Sequence, residues 1–134
     1  MKPATRICVI LAALLCATSV ALARDNRLAG NWQGQRDKAG KCTFLTWSLK
    51  RSPDGKFEIA FYKDTAKTKL ATREAGRWET KGDKLSLFTK GVATPDIYTY
   101  TFTDGNTVHL SAIKRDMSVD CMADYEFTDH RVKP

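Results

Sequence analysis

The chain holds two histidines, His109 and His130, and few other residues whose type and spacing could do chemistry. His130 follows Asp129, a neighbour pair from which a base and its orienting carboxylate could be built. No G-x-S-x-G nucleophile elbow accompanies it. His109 alternates out of phase with Val108, Leu110 and Ala112, which turns it toward solvent. Asp116, Asp120 and Asp124 would share one face of a helix, as metal ligands can. Here they straddle Cys121 at the start of an expected strand and read as a solvated loop. There is no H-x-x-x-H, no C-x-x-C, no calcium loop and no glycine-rich phosphate loop. The expectation is a non-catalytic protein with no metal and no cofactor.

Binding is the chemistry that remains, and the aromatic residues carry it. Trp47, Phe57, Phe61, Trp78, Tyr98, Tyr100, Phe102, Tyr125 and Phe127 mostly fall on one expected face. One reading is a packed core, since a small domain needs these side chains to bury enough apolar area. The other is a lumen lined by them, with tyrosine hydroxyls fixing an apolar ligand. Under that reading the candidate ligand residues are Tyr62, Tyr98 and Tyr100 near an open end, with Trp47 and Trp78.

The elements that must position these residues are strands. Alternation and β-forming residues mark segments 32–36, 42–49, 57–62, 73–79, 85–88, 97–103, 108–112 and 121–127. Ser52-Pro53-Asp54-Gly55, Lys81-Gly82-Asp83-Lys84 and Asp104-Gly105-Asn106 supply turns between them. Residues 64–71 have no apolar stripe and read as an exposed loop. Eight sequential antiparallel strands remove their edges most simply by closing into an up-and-down barrel. The alternative is a two-sheet β-sandwich.

The start of the chain is an export signal in form. Lys2 and Arg6 precede the apolar run at 7–15, and Ala21-Leu22-Ala23 is an A-x-A cleavage site. The expectation is a signal peptide at 1–23, one domain at 24–134, and a periplasmic or secreted protein. An uncleaved anchor is the competing reading, and a lipoprotein is disfavoured because bulky Leu15 precedes Cys16. Cleavage removes Cys8 and Cys16 and leaves Cys42 and Cys121, whose default state in an oxidising compartment is one disulfide. Closing a loop of about 80 residues would stabilise the fold by roughly 4 kcal/mol on the chain-entropy account. Period-two counting puts Cys42 and Phe44 opposite Trp47, whereas Cys121 shares the face of Tyr125 and Phe127. Either Cys42 lies in the turn before its strand or a bulge shifts the phase, and the bond belongs at one end of a barrel.

Charge narrows the partners. The chain carries 22 basic against 15 acidic residues, and loss of Lys2 and Arg6 leaves it basic. The lysines are spread out and flank turns rather than interleaving with exposed aromatics, so a nucleic-acid partner is not expected. The balance suits solubility as a monomer and weak attraction to anionic surfaces. Peripheral membrane contact is compatible with it but not called for.

Leu28-Ala29-Gly30-Asn31-Trp32 opens the expected domain with a G-x-W motif, an eight-strand meander follows, and Arg131 comes just after the last expected strand. This pattern resembles the lipocalin-like (calycin) β-barrels of secreted bacterial proteins. The resemblance implies structural roles for Gly30, Trp32 and Arg131, with the tryptophan packed at the closed end and the arginine covering it. The chain is shorter than animal lipocalins and lacks their C-terminal helix. The same opening, with the signal, size and single disulfide, also resembles the small periplasmic inhibitors of secreted metalloproteases. Those reach into the enzyme cleft with the segment before the barrel, here residues 24–28. Their disulfide tends to join cysteines nearer in sequence than Cys42 and Cys121. The reading is therefore a secreted binding protein that takes a small apolar ligand in the barrel mouth. The alternative is a protein-binding inhibitor of a secreted hydrolase such as a metalloprotease.

Overall fold

Period-two alternation decides which side chains meet. Trp47 and Leu49, Phe57 and Ile59, Leu85 and Leu87, Tyr98 and Tyr100, and Val108 and Leu110 are pairs two residues apart, and each pair faces one interior. A computed structural model, which describes residues 23–114 and 125–133, shows the strands that result. They are β1 (Gly30–Gln35), β2 (Thr46–Arg51), β3 (Lys56–Tyr62), β4 (Leu70–Lys81), β5 (Lys84–Thr89), β6 (Asp96–Asp104), β7 (Thr107–Lys114) and β8 (Glu126–Arg131). Each pairs antiparallel with the next, and β8 returns to β1, so the sheet closes into an eight-stranded up-and-down barrel. The two-sheet alternative is not formed. The inward residues stay in register around the wall: Leu49 opposes both Trp32 and Ile59, Trp78 opposes Leu87, and Leu110 opposes Phe127.

Several boundaries differ from the sequence expectation. β2 begins at Thr46, not at residue 42, so Cys42 and Phe44 lie in the connection before it. That placement accounts for their being out of phase with Trp47. Cys42 is buried there, and its expected partner Cys121 lies outside the described residues, as do residues 1–22 of the expected signal peptide. β4 is longer than expected and takes Leu70 and Ala71 out of the predicted loop. The remaining connection, 63–69, is built on Asp64, whose carboxylate accepts from the backbone N–H of Thr68 at 3.0 Å and of Lys69 at 2.9 Å. β8 includes Arg131, which sequence alone placed just past the strand.

The two ends are unlike. Connections at 52–55, 82–83 and 105–106 are tight, and a 3-10 turn at Asn26–Leu28 lies across that end as a plug. Leu28 and Trp32 are fully buried, and the Trp32 indole donates to the Leu28 carbonyl at 3.0 Å. The Arg131 guanidinium lies 4.2 Å from the Trp32 ring centre and donates to the carbonyls of Ala29 (2.8 Å) and Arg27 (2.7 Å). Gly30 permits this. Its φ is +120°, and a Cβ there would sit 2.8 Å from the Arg131 guanidinium. Before the plug, Arg24 donates to the Trp78 carbonyl and Asp25 accepts from the Tyr100 hydroxyl at 2.9 Å. At the opposite end the connections 36–45, 63–69 and 90–95 are longer, and among the described residues the barrel is open there.

The plug carries a pH signature. Burial, then the hydrogen bond to Asp25 and its negative charge, push the Tyr100 phenol up from 10.0 to about 12. The folded protein holds this proton more tightly than the unfolded chain does. The contribution is therefore intact below pH 10 and is lost as pH rises toward 12. Absorbance titration should show one tyrosine ionising near pH 12, with stability to urea falling across that window. Tyr100→Phe should flatten this slope, and an unchanged slope would show that the plug does not carry it.

Candidate functional site

The lumen fills at the closed end and stays hollow at the open one. Trp47 and Leu49 of β2, Ile59 and Phe61 of β3, Leu87 of β5 and Phe127 of β8 wall a cavity of about 290 Å³. Their side chains meet because each lies at an inward position of its strand, and the aromatic edges hold the wall firm. Trp47 packs edge-on against Phe61 and Phe127 with ring centres 6.0 and 5.2 Å apart. Polar groups enter the lining from Arg36, Thr72, Glu74, Thr89, Asp96, Tyr98 and Tyr125. Arg36 is buried, donates to the Thr43 carbonyl at 3.1 Å, and stands 5.6 Å over the Tyr125 ring.

One inward step beyond Leu49 and Phe127, toward the closed end, lies a charged pair, Arg51 and Asp129. Both are almost completely buried, and their nearest ionic contact is 3.5 Å. Asp129 also accepts the Trp47 indole N–H at 2.8 Å. Burial pushes the Asp129 carboxyl up and the Arg51 guanidinium down, and each is opposed by the other's charge. The Nε and Nη1 of Arg51 have no hydrogen-bond partner among the described residues. Gly34 makes the arrangement possible. A Cβ there would collide with the Asp129 carboxylate and stand 2.6 Å from the Trp47 indole nitrogen.

The structure separates the five residues proposed for ligand contact. Trp47 and Tyr98 line the cavity. Trp78 and Tyr100 are at the closed end, where Trp78 donates to the Ser52 carbonyl at 2.9 Å. Tyr62 faces the outer wall near Arg73 and Ala75, because it follows inward-facing Phe61 on β3 and strand side chains alternate. Gly30, Trp32 and Arg131 come together at the closed end, as described above. Leu49, Ile59 and Leu87, absent from that set, are cavity walls. Arg51 and Asp129 were missed too, although each is in phase with inward neighbours: 47, 49, 51 on β2 and 125, 127, 129 on β8.

The acid–base candidates do not assemble. His109 is on the outer face, with Nδ1 3.2 Å from the Thr128 hydroxyl and Nε2 3.9 Å from Glu126. His130 is exposed, and its neighbour Asp129 points into the barrel. Asp116, Asp120 and Asp124 lie outside the described residues. Among the described residues no three His, Cys, Asp or Glu side chains are grouped to hold a metal ion. Segment 24–28, which an inhibitor would project into a cleft, is instead folded across the closed end. Asp25 N–H donates to Thr80 at 2.7 Å, and Leu28 is fully buried. Compared with models of known families and with curated proteins, the chain matches none.

The buried charged pair is testable by unfolding. Asp129→Leu leaves Arg51 buried without a counter-charge and should cost about 3–5 kcal/mol in urea denaturation. The double variant Arg51→Met/Asp129→Leu should recover much of that loss. A double variant no more stable than the single one would show that the two groups are not coupled. Gly34→Ala should cost about 1–3 kcal/mol, because its methyl overlaps the Trp47–Asp129 hydrogen bond.

Proposed function

We propose that the protein is a lipocalin-like, non-catalytic binding protein, exported by its leader, that takes a small apolar ligand in the open half of the barrel. The cavity carries this reading. Its volume of about 290 Å³ is at the lower end of the range for small-molecule sites, which favours a compact ligand. Its walls are aromatic and aliphatic, with Tyr98, Tyr125 and Arg36 among the polar residues of the lining. The inhibitor reading draws less support, since segment 24–28 is committed to the plug. The lipocalin-like assignment is supported by the barrel order and by Arg131 stacked on Trp32. Export, monomeric state and a Cys42–Cys121 disulfide belong to the same proposal.

Native mass spectrometry of protein purified from its own source should show a mass increment that an organic extraction removes. Trp47 fluorescence should change when the extracted compound is returned. Leu87→Trp, which adds bulk to the cavity wall, should reduce binding at least tenfold without lowering the urea midpoint. Unligated protein whose Trp47 emission ignores the extract, or a filled variant that binds as well as the parent, would remove the lumen as the site. Co-purification with an intact hydrolase would favour the inhibitor.

A further inference from the structure

Unequal strand lengths leave a gap in the barrel wall. β4 runs from Leu70 to Lys81, and β3 pairs with it from Leu70 to Arg77. β5 pairs with it only from Gly76 to Lys81, and Lys90 adds one bond by donating its N–H to the Ala75 carbonyl at 2.9 Å. The chain then turns away, with Gly91 at φ +81° and the Val92 N–H donating to the Thr89 carbonyl at 3.1 Å. Residues 70–74 of β4 therefore have β3 on one side and no described residue bonded to the other. All five are exposed, the longest such run among the described strands. β4 stands three strands from β7 and four from β8 around the ring, so the gap is bounded by described residues.

Two residues present their backbone to that free side. Ala75 turns its carbonyl toward Lys90, whereas the Lys69 carbonyl accepts from Lys63 at 2.8 Å across the β3–β4 hairpin. Antiparallel bonding alternates, so Arg73 faces the gap with both its N–H and its C=O, and Leu70, beyond the irregularity at Phe61/Tyr62, does the same. An open edge is commonly blunted by proline or by charge. Leu70, Ala71 and Thr72 carry neither, and Arg73 forms no ion pair with a described residue. The gap also opens into the lumen, since Thr72, Glu74, Thr89 and Val92 line the cavity. A guest strand beside residues 70–73 would continue the line of β5, whose Leu85 and Leu87 point inward. Its residue opposite Thr72 would then point into the cavity, and its residue opposite Arg73 would point outward beside the guanidinium.

We propose that this edge takes an extended peptide, antiparallel to β4, with an acidic residue opposite Arg73 followed by an aromatic residue that enters the cavity. Main-chain donors and acceptors in alternation are matched by another extended main chain, not by a lipid or nucleic-acid surface. The aromatic and aliphatic walls supply the pocket for the inward side chain, and an aliphatic third residue meets Leu70, which is 48% exposed. The inference rests on the apolar cavity of the ligand reading and names one class of guest for it.

Fluorescence anisotropy of a labelled, end-blocked Ser-Glu-Phe-Leu-Ser peptide with the unligated full-length gene product tests it. Methylating the amide nitrogen of the peptide's Glu, the donor to the Arg73 carbonyl, should weaken binding about tenfold. Methylating that of its Phe, which faces away from β4, should change binding by about twofold at most. Replacing the Phe by Ser should weaken it at least about tenfold. Arg73→Thr should weaken binding through loss of the charge, and Arg73→Pro about tenfold further through loss of the edge N–H. Proline there removes no bond to β3, which circular dichroism checks, and the methylated peptides test the same contact with the protein unchanged. The Arg73 amide should exchange hydrogen freely in the unbound protein and become protected by the peptide. Equal losses for the two methylated peptides, Arg73→Pro no worse than Arg73→Thr, an Arg73 amide already protected in the unbound protein, or no binding at millimolar peptide would each overturn the proposal. So would a dimer in sedimentation that Arg73→Pro dissolves, which gives the edge to a second copy. Unligated protein that takes up the extracted compound and ignores the peptide removes this proposal alone. Peptide binding with this pattern in a protein that yields no extractable compound supports it and removes the free-ligand reading alone.

Discussion

The seam between β1 and β8 governs this fold, because the ladder there is short. Only Trp32 with Arg131 and Gln33 with His130 are paired across it, whereas β3 and β4 share seven pairs from Lys56 to Tyr62. Side chains supplement the ladder where it runs out. Below it, Arg131 covers Trp32 and ties β8 to the carbonyls of the plug. Above it, Asp129 reaches past β1 to the Trp47 indole on β2, over a glycine that has no side chain to obstruct it. A closed sheet removes exposed edges, and this one is closed by an arginine, an aspartate and two glycines at the weakest join.

That closure divides the interior. Asp129 must be reached by a cation, since an isolated buried carboxylate is far more costly than a paired one. Arg51, the last residue of β2, is buried beside it for that purpose and fills space that a hydrocarbon side chain would otherwise hold. Below it Trp78, Leu85, Tyr100 and Val108 pack against the plug. Toward the other end the inward side chains wall a cavity rather than filling the lumen.

Much of this was legible from the residues, for reasons that can be named. Alternation marked seven of the strands because one face of each is apolar and the other polar, and tight turns marked the hairpins that make the meander; the eighth expected segment, 121–127, meets β8 only at Glu126 and Phe127. The barrel followed from the order of strands, while its closure over a sandwich depended on a seam between the first and last strands that no local pattern records. Tyr62 was misplaced although alternation itself turns it outward, since Phe57, Ile59 and Phe61 hold the inward positions of β3. Tyr100 and Trp78 were expected at the mouth although each shares a face with true cavity residues. Alternation reports the face of a strand but not the height along it. Segment 24–28 entered only through the resemblance to inhibitors that insert it into a cleft; nothing local marks its contacts, since its partners Trp78, Thr80 and Tyr100 are more than fifty residues away.

Arg51 and Asp129 show a further limit of pattern reading. Both sit in phase with aromatic and aliphatic neighbours, and a charged residue on an apolar face is ordinarily assigned to a strand end or a surface. Here each is the partner that makes the other tolerable, so neither can be interpreted alone. The same logic bears on the empty half of the lumen. Leu49, Ile59 and Leu87 are aliphatic at positions where larger rings would reduce the void, and leaving apolar volume unfilled forgoes packing energy of about 24 cal/mol per Å³. Even when discounted because the cavity opens to solvent, that is a sizeable fraction of what holds a small domain together. The closed end, with its plug, stacked arginine and fully buried indoles, concentrates stability where no ligand could enter. The open end can then remain hollow without the barrel losing its closure, and a compact apolar guest would recover there the contacts that the side chains leave unmade.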